Sequence, residues 1–183
     1  ILSVHTDFAS YNYSLFLVTK YLNTDNIKSF ADLKSTLEAD MNGYYVLTSN
    51  INLAAAGNNS QRASQAIGFG SLSGQTHTGS TEFNGTLDGR GFAIQNLEFN
   101  WRSGLTNHDH SFIDVIGAKG VVKNLALTNV QLKTTVASAR VAGLAWTNKG
   151  TVENCYVDFT NNAGTSGSNA QWGQAALVLI NDG

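Results

Sequence analysis

The chain has 183 residues, with 11 Lys plus Arg, 13 Asp plus Glu and a formal net charge of −2. That length fits one domain with a sizeable core, and the near-balance of charge argues against electrostatic capture of nucleic acid or of an anionic membrane. Charged residues make up 13% of the chain and hydrophobic residues 42%, so it is not a disordered polar segment.

The missing charge is replaced by Asn, Gly, Ser and Thr, and there is no Pro. This composition suits extended β architectures with amide- and hydroxyl-rich surfaces. No apolar run approaches the ~18 residues of a membrane helix, so no membrane insertion is expected in this segment. One Cys leaves no intramolecular disulfide framework. The sequence starts at Ile1 with no Met and no signal peptide, and we expect it to be a piece of a longer chain.

Residues 1–28 alternate polar and apolar in LSVHTDF and YSLFLVTKYL. Both runs read as strands, with Ser10, Asn12 and residues 23–26 as turns. The expectation is a short β segment or the end of a preceding domain.

Residues 29–43 carry the best helix signal. Ser29 fits an N-cap with Asp32 three positions on. Phe30, Leu33, Leu37 and Met41 share one helical face, and Gly43 stands where a left-handed C-terminal cap belongs. Such a helix must bury that face against the segment on its C-terminal side, as an N-terminal amphipathic cap.

From Tyr44 onward the pattern is β. YYVLTSNINL supplies a strand pair with Val46, Ile51 and Leu53 as inward candidates. Residues 54–82 form a long polar stretch whose large apolar residues are Ile67, Phe69 and Leu72. It reads as a loop or excursion with a small hydrophobic anchor.

Self-similarity then decides the fold class. GFAIQNLEFN (91–100), GVVKNLALTN (120–129) and GTVENCYVDF (150–159) superimpose on Asn96, Asn124 and Asn154. Ile94, Val122 and Val152 then coincide, as do Leu97, Leu125 and Cys155. AGLAWTNKG (142–150) matches AALVLINDG (175–183), and SFIDVIGAKG (111–120) is a looser copy. Short strands without crossover helices predict a coil that returns above itself, an all-β parallel β-helix or β-solenoid over 44–183. Adjacent coils would lie ~4.8 Å apart, with aliphatic ladders inside and an Asn ladder at a corner, where Asn tolerates left-handed backbone. The alternative is a β-sandwich with coincidental spacing.

The blocks FNGTLDGRGFAIQNL, GVVKNLALTNVQL and VAGLAWTNKGTVENCYV resemble the GLUG-type repeats of bacterial surface proteins. The upstream FADLKSTLEADMNGYYVLTSNINLAAAG and AIGFGS resemble the segment that precedes such repeats, so the likeness covers roughly 29–183. It implies a right-handed β-helix from an adhesin or a related extracellular or phage-associated protein. It transfers no active site. Trp146, and Asp114 one coil earlier, stand where the repeat usually has a small residue, and Ala66 replaces the usual Pro before Ile67. By the repeat, Gly183 precedes a further strand block, and more coils, a cap or a partner subunit are expected to follow.

Chemistry is sparse. Asp88, Gly89, Arg90 and Gly91 read as a tight turn in which Gly89 and Gly91 accept positive φ, or less simply as a carboxylate–guanidinium pair for sugar binding or catalysis. His108, Asp109 and His110 have metal-ligand types, but no third ligand has a supporting spacing. Cys155 reads as a small core residue. Asp88, Asp114 and Glu153 could meet through stacking, but the alignment does not give them equivalent positions, and glycoside hydrolysis needs two facing carboxylates. The binding candidates are Trp101, Arg102, His108, His110 and Trp146, with Trp172 and Tyr156 as further aromatics. No cofactor is implied.

The expected function is a non-catalytic module of a larger surface protein. Its partners would be a host-surface or glycan receptor, or the subunits of a virion or surface assembly, a homo-oligomer included. The setting would be extracellular, at a cell surface or on a virion. A phage fibre or decoration protein and a carbohydrate-active lyase or hydrolase are the alternatives.

Overall fold

The computed structural model describes residues 18–57, 60, 62–63, 65–73, 76–100, 108–133, 139–160, 174–175 and 177–183. The first expected β segment therefore lies outside the described residues up to position 17.

The described strands form four parallel sheets. The first stacks Thr19–Leu22, Tyr44–Leu47, Thr86–Asp88, Val121–Lys123 and Thr151–Glu153 in that order. The second joins Ile51–Asn52, Ala93–Gln95, Ala126–Lys133 and Tyr156–Thr160, and along the same long strand Glu98–Asn100 and Arg62–Ala63. The third holds His108–His110, Ala139–Ala142 and Gln174–Ala175. The fourth holds Ile113–Ile116, Ala145–Asn148 and Val178–Asn181. The chain visits the sheets in this order and comes back one strand further along the first sheet. That is a solenoid-like repeat, and the sandwich alternative fails because chain-distant strands pair in parallel throughout these sheets. The exception is an antiparallel hairpin, Ser71–Ser73 with Thr76–Thr78.

The polar stretch from 54 to 82 belongs to this winding. Arg62–Ala63 pairs with the second sheet, Ile67 bridges Ile113, and just beyond the stretch Phe83 bridges Ile116. The hairpin is the excursion. Ile67 is the anchor, at 0% exposure.

Ladders of apolar side chains fill the interior, and two of them are aliphatic but for one tyrosine. Tyr45, Leu87 and Val122 are in register on the first sheet, and Ile51, Ile94 and Leu127 on the second. All six are buried in one core cluster. Each such side chain contributes roughly 1.5–3 kcal/mol by leaving water. Val46 is also buried but stands outside that cluster. Alternation along the strand gives the inward places to Tyr45 and Leu47 instead.

The corner between the fourth sheet and the first is a column of glycines. A Cβ on Gly85 would strike the carbonyl oxygen of Gly43, and one on Gly150 would strike that of Gly120. Those same carbonyls accept from the next coil: Thr86 N donates to Gly43 O and Thr151 N to Gly120 O, each at 2.9 Å. The close approach is what requires Gly here.

This column corrects one expectation. The helix spans Phe30–Glu38 and ends on Ala39 in right-handed geometry, and Gly43 has no positive φ. Gly43 is the first rung of the glycine column, not a helix cap. The other end is as expected: Ser29 accepts from Asp32 N at 3.1 Å. The Asp32 carboxylate accepts from Lys28 N, one residue before the cap. Phe30, Leu33, Leu37 and Met41 are all buried, and Phe30 meets Phe112 edge-on at 6.2 Å.

A second correction concerns the repeat. Val122 pairs with Val152 and with Leu87, not with Ile94, and Ile94 pairs with Leu127. The copies at 120–129 and 150–159 are in phase as expected, but 91–100 lies one sheet further on. Five steps separate Asp88 from Ala93, while three separate their partners Lys123 and Ala126. The two extra residues sit in the turn around Arg90.

Candidate functional site

The turn with the extra residues opens a groove. It is lined by Arg90, Gly91, Asn124, Leu125, Ala126, Asn154 and Tyr156, and its volume is about 500 Å³. These residues come from three successive coils, at the corner where the first sheet turns into the second.

Asparagine builds that corner. Asn124 and Asn154 have φ of 52° and 49°, a left-handed region that Asn enters at low cost. Asn154 Nδ2 donates to Asn124 Oδ1 at 3.2 Å, and Asn124 Nδ2 donates to Asp88 Oδ1 at 3.1 Å. Asn96 belongs to a different column. It donates to Asn52 Oδ1 at 2.7 Å and accepts from Asn129 Nδ2. A further pair, Asn148 with Asn181, closes the corner of the fourth sheet at 2.8 Å.

Asp88 anchors this corner through two residues that line the groove, Asn124 and Arg90. Its Oδ1 also accepts from Arg90 N at 2.9 Å, and Lys123 Nζ stands 3.8 Å from its Oδ2. Burial alone would raise the pKa of this carboxyl. The hydrogen bonds from Arg90 N–H and Asn124, with the charges of Lys123 and Arg90, outweigh burial and hold it below the usual carboxylate range. Asp88 is therefore an ionised structural acceptor, not a proton donor. The tight-turn reading of this segment holds with Gly91 at φ 84°, but the second left-handed residue is Arg90, at φ 50°, not Gly89, where a Cβ would instead strike the Asn124 carbonyl oxygen.

Asp88 and Glu153 do occupy equivalent positions, contrary to the sequence alignment: Lys123 pairs with both in register. The misphased first copy hid this. Lys123 separates the two carboxylates, so they form a column of alternating charge across the first sheet. Asp114 is on the fourth sheet and fully buried.

Of the residues expected to contact a ligand, Trp101 and Arg102 lie outside the described residues. His108 and His110 lie on a described strand, paired with Ala139 and Val141, but their side chains are outside the described part. Trp146 is 5% exposed, in the strand Ala145–Asn148 beside the one that carries Asp114. Trp172 is outside the described residues. Tyr156, named with the aromatics, is 59% exposed and on the groove.

Asn124 and Asn154 read as structural in the sequence, and Arg90 reads first as a turn residue, with sugar binding beside Asp88 as its alternative. The asparagines' one sequence signal as a site is the repeat, which puts Asn124 and Asn154 in one column. Cys155 is half-buried beside the groove and packs on the core. Burial pushes its thiol pKa up, against hydrogen bonding that lowers it. Among the described residues, no three His, Cys, Asp or Glu gather as a metal site, and no helix is long and apolar enough to cross a membrane.

No protein-family model, curated protein or solved structure matches the chain. The likeness to GLUG-type repeats rests on the sequence blocks alone.

Proposed function

We propose that this chain is a non-catalytic β-solenoid module of a larger, surface-exposed extracellular protein. Its role is contact with a glycan or receptor, or display of such contacts. The Phe30–Glu38 helix serves as the N-terminal cap of a right-handed coil. The resemblance of blocks from 29 to 183 to GLUG-type repeats supports the surface setting.

The observation that carries the binding role is the groove at the Asn124–Asn154 corner. It presents a guanidinium, two amides and an exposed phenol on a backbone fixed by stacked coils. These groups hold and orient a ligand. The carboxylate beside them, Asp88, is kept ionised and neutralised by Lys123, which suits a scaffold better than general acid catalysis.

A glycan panel scored for both retention and product release tests the reading. Retention of glycan with no change in the glycan is the expected result. Product release that disappears in Asp88→Asn would show an enzyme and overturn it.

A further inference from the structure

Five non-glycine residues among those described have positive φ: Arg90, Asn96, Asn124, Asn129 and Asn154. Four of them are Asn, and each uses its amide in a column of stacked side chains. Arg90 is the exception. Its turn is held by its own N–H on Asp88, and its neighbours Gly89 and Gly91 are both glycine. A further glycine at position 90 would suit φ 50° better than any L side chain. Among the described residues the guanidinium makes no hydrogen bond and no ion pair, and the charge effect it has on Asp88 comes after that of Lys123. A side chain held at strained backbone, with no contact of its own in the fold, points to a function.

Its surroundings define the ligand. Arg90 is exposed, and it is the one charged residue among those lining the groove. The nearby Asp88 does not cancel it, because Asp88 is 8% exposed and has Lys123 as its own counter-charge. A single planar guanidinium pairs with a carboxylate through two parallel hydrogen bonds. Phosphate sites gather several N–H groups or cations, and this groove does not.

Next along the groove come the amides. The column uses one N–H of Asn124, one N–H of Asn154 and the oxygen of Asn124. That leaves the second N–H of each and the oxygen of Asn154 for ligand hydroxyls. Tyr156 closes the row with an exposed ring for an apolar sugar face. Arg90 and Tyr156 are two coils apart, about 10 Å at ~4.8 Å per coil.

We infer that this groove binds a carboxylated sugar, with the carboxylate on Arg90, hydroxyls on Asn124 and Asn154, and a ring face on Tyr156. The inference rests on the proposed binding role and narrows it to acidic glycans.

The test titrates the 183-residue chain with a uronic-acid disaccharide and with its methyl ester, which keeps the shape and removes the charge. Esterification should weaken binding at least tenfold. Arg90→Gly should weaken binding of the acid at least tenfold while the melting temperature stays level or rises. Tyr156→Ala, at an exposed position, should weaken acid and ester alike.

Equal affinity for acid and ester overturns the inference, as does unchanged affinity in Arg90→Gly. So does the absence of binding at millimolar disaccharide, or tighter binding of inorganic phosphate. If neutral glycans are retained and acidic ones are not, the inference fails and the binding role stands. Turnover of the disaccharide overturns the binding role itself.

Discussion

Gly150 lies over Gly120 so closely that a Cβ on Gly150 would meet the Gly120 carbonyl oxygen and, next to it, that of Gly117. The obstacle is backbone, so no side chain can swing away. Gly150→Ala should cost more than the ~1–3 kcal/mol usual for overpacking, because the coil spacing itself must open. Gly57 is the contrast. It has φ 66° and nothing within 4 Å of a built Cβ. Gly57→Asn should change stability by no more than a few tenths of a kcal/mol, since Asn accepts left-handed geometry. Denaturant melts of the two variants check this. Equal midpoints would refute the glycine column as a close contact.

Asn124 combines two roles that substitution can separate. It holds φ 52°, and its amide links Asp88 to Asn154. Asn124→Gly keeps the backbone and loses the links, at about 0.5–1.5 kcal/mol per lost hydrogen bond. Asn124→Ala loses the links and adds roughly 1–2 kcal/mol of left-handed strain. Thermal unfolding should therefore rank wild type above Gly and Gly above Ala. If Ala is the more stable of the two variants, the left-handed corner is wrong.

These two columns also explain what was legible in the sequence. The helix was readable because its period is local: Phe30, Leu33 and Leu37 mark one face whatever they pack on. The copies at Asn124 and Asn154 were readable because their turns have the same length. The copy at Asn96 was misphased for a physical reason. Left-handed corners occur at more than one place in each coil, and Asn is favoured at all of them. Asn96 and Asn124 thus match in sequence while standing in different columns. Gly43 misleads in the same way, since glycine serves both helix ends and close backbone contacts. In the groove, Tyr156 was legible as an aromatic. Arg90 was legible as a guanidinium that could serve sugar binding, but its grouping with Asn124, Asn154 and Tyr156 was not, because those residues lie more than thirty positions later in the chain.

Leu125 tests the core of the coil. It is 1% exposed and belongs to the main cluster. Leu125→Asp buries a carboxylate without a designed partner, and the chain should lose its cooperative melt at neutral pH. Leu125→Ala is milder, at about 2–5 kcal/mol. Circular dichroism melts distinguish the two. A loss under ~1 kcal/mol for Leu125→Asp, the level of a surface change, would contradict the register.

The pH dependence has a definite sign at both limits. Asp88 has a depressed pKa, so its stabilisation is fully present above the ordinary Asp range and is lost as pH falls through its lower folded value. At the alkaline end, burial raises the Tyr45 pKa against the nearby Lys20 charge. Burial would lower the Lys20 pKa, but hydrogen bonds to Asp40 and Tyr45 outweigh it and raise the value. Their contribution is intact below the ordinary Tyr and Lys values and is lost as pH rises through the raised ones. Lys20 Nζ sits 3.1 Å from Asp40 Oδ2 and 3.3 Å from the Tyr45 hydroxyl, whose ring is fully buried. Asp88→Asn should therefore melt below wild type at neutral pH and converge with it in acid. Tyr45→Phe should differ from wild type most near neutrality and least in strong alkali. Melting temperatures across the pH range check both. A gap for Asp88→Asn that widens as pH falls would refute the assignment of Asp88 as the ionised anchor of the groove.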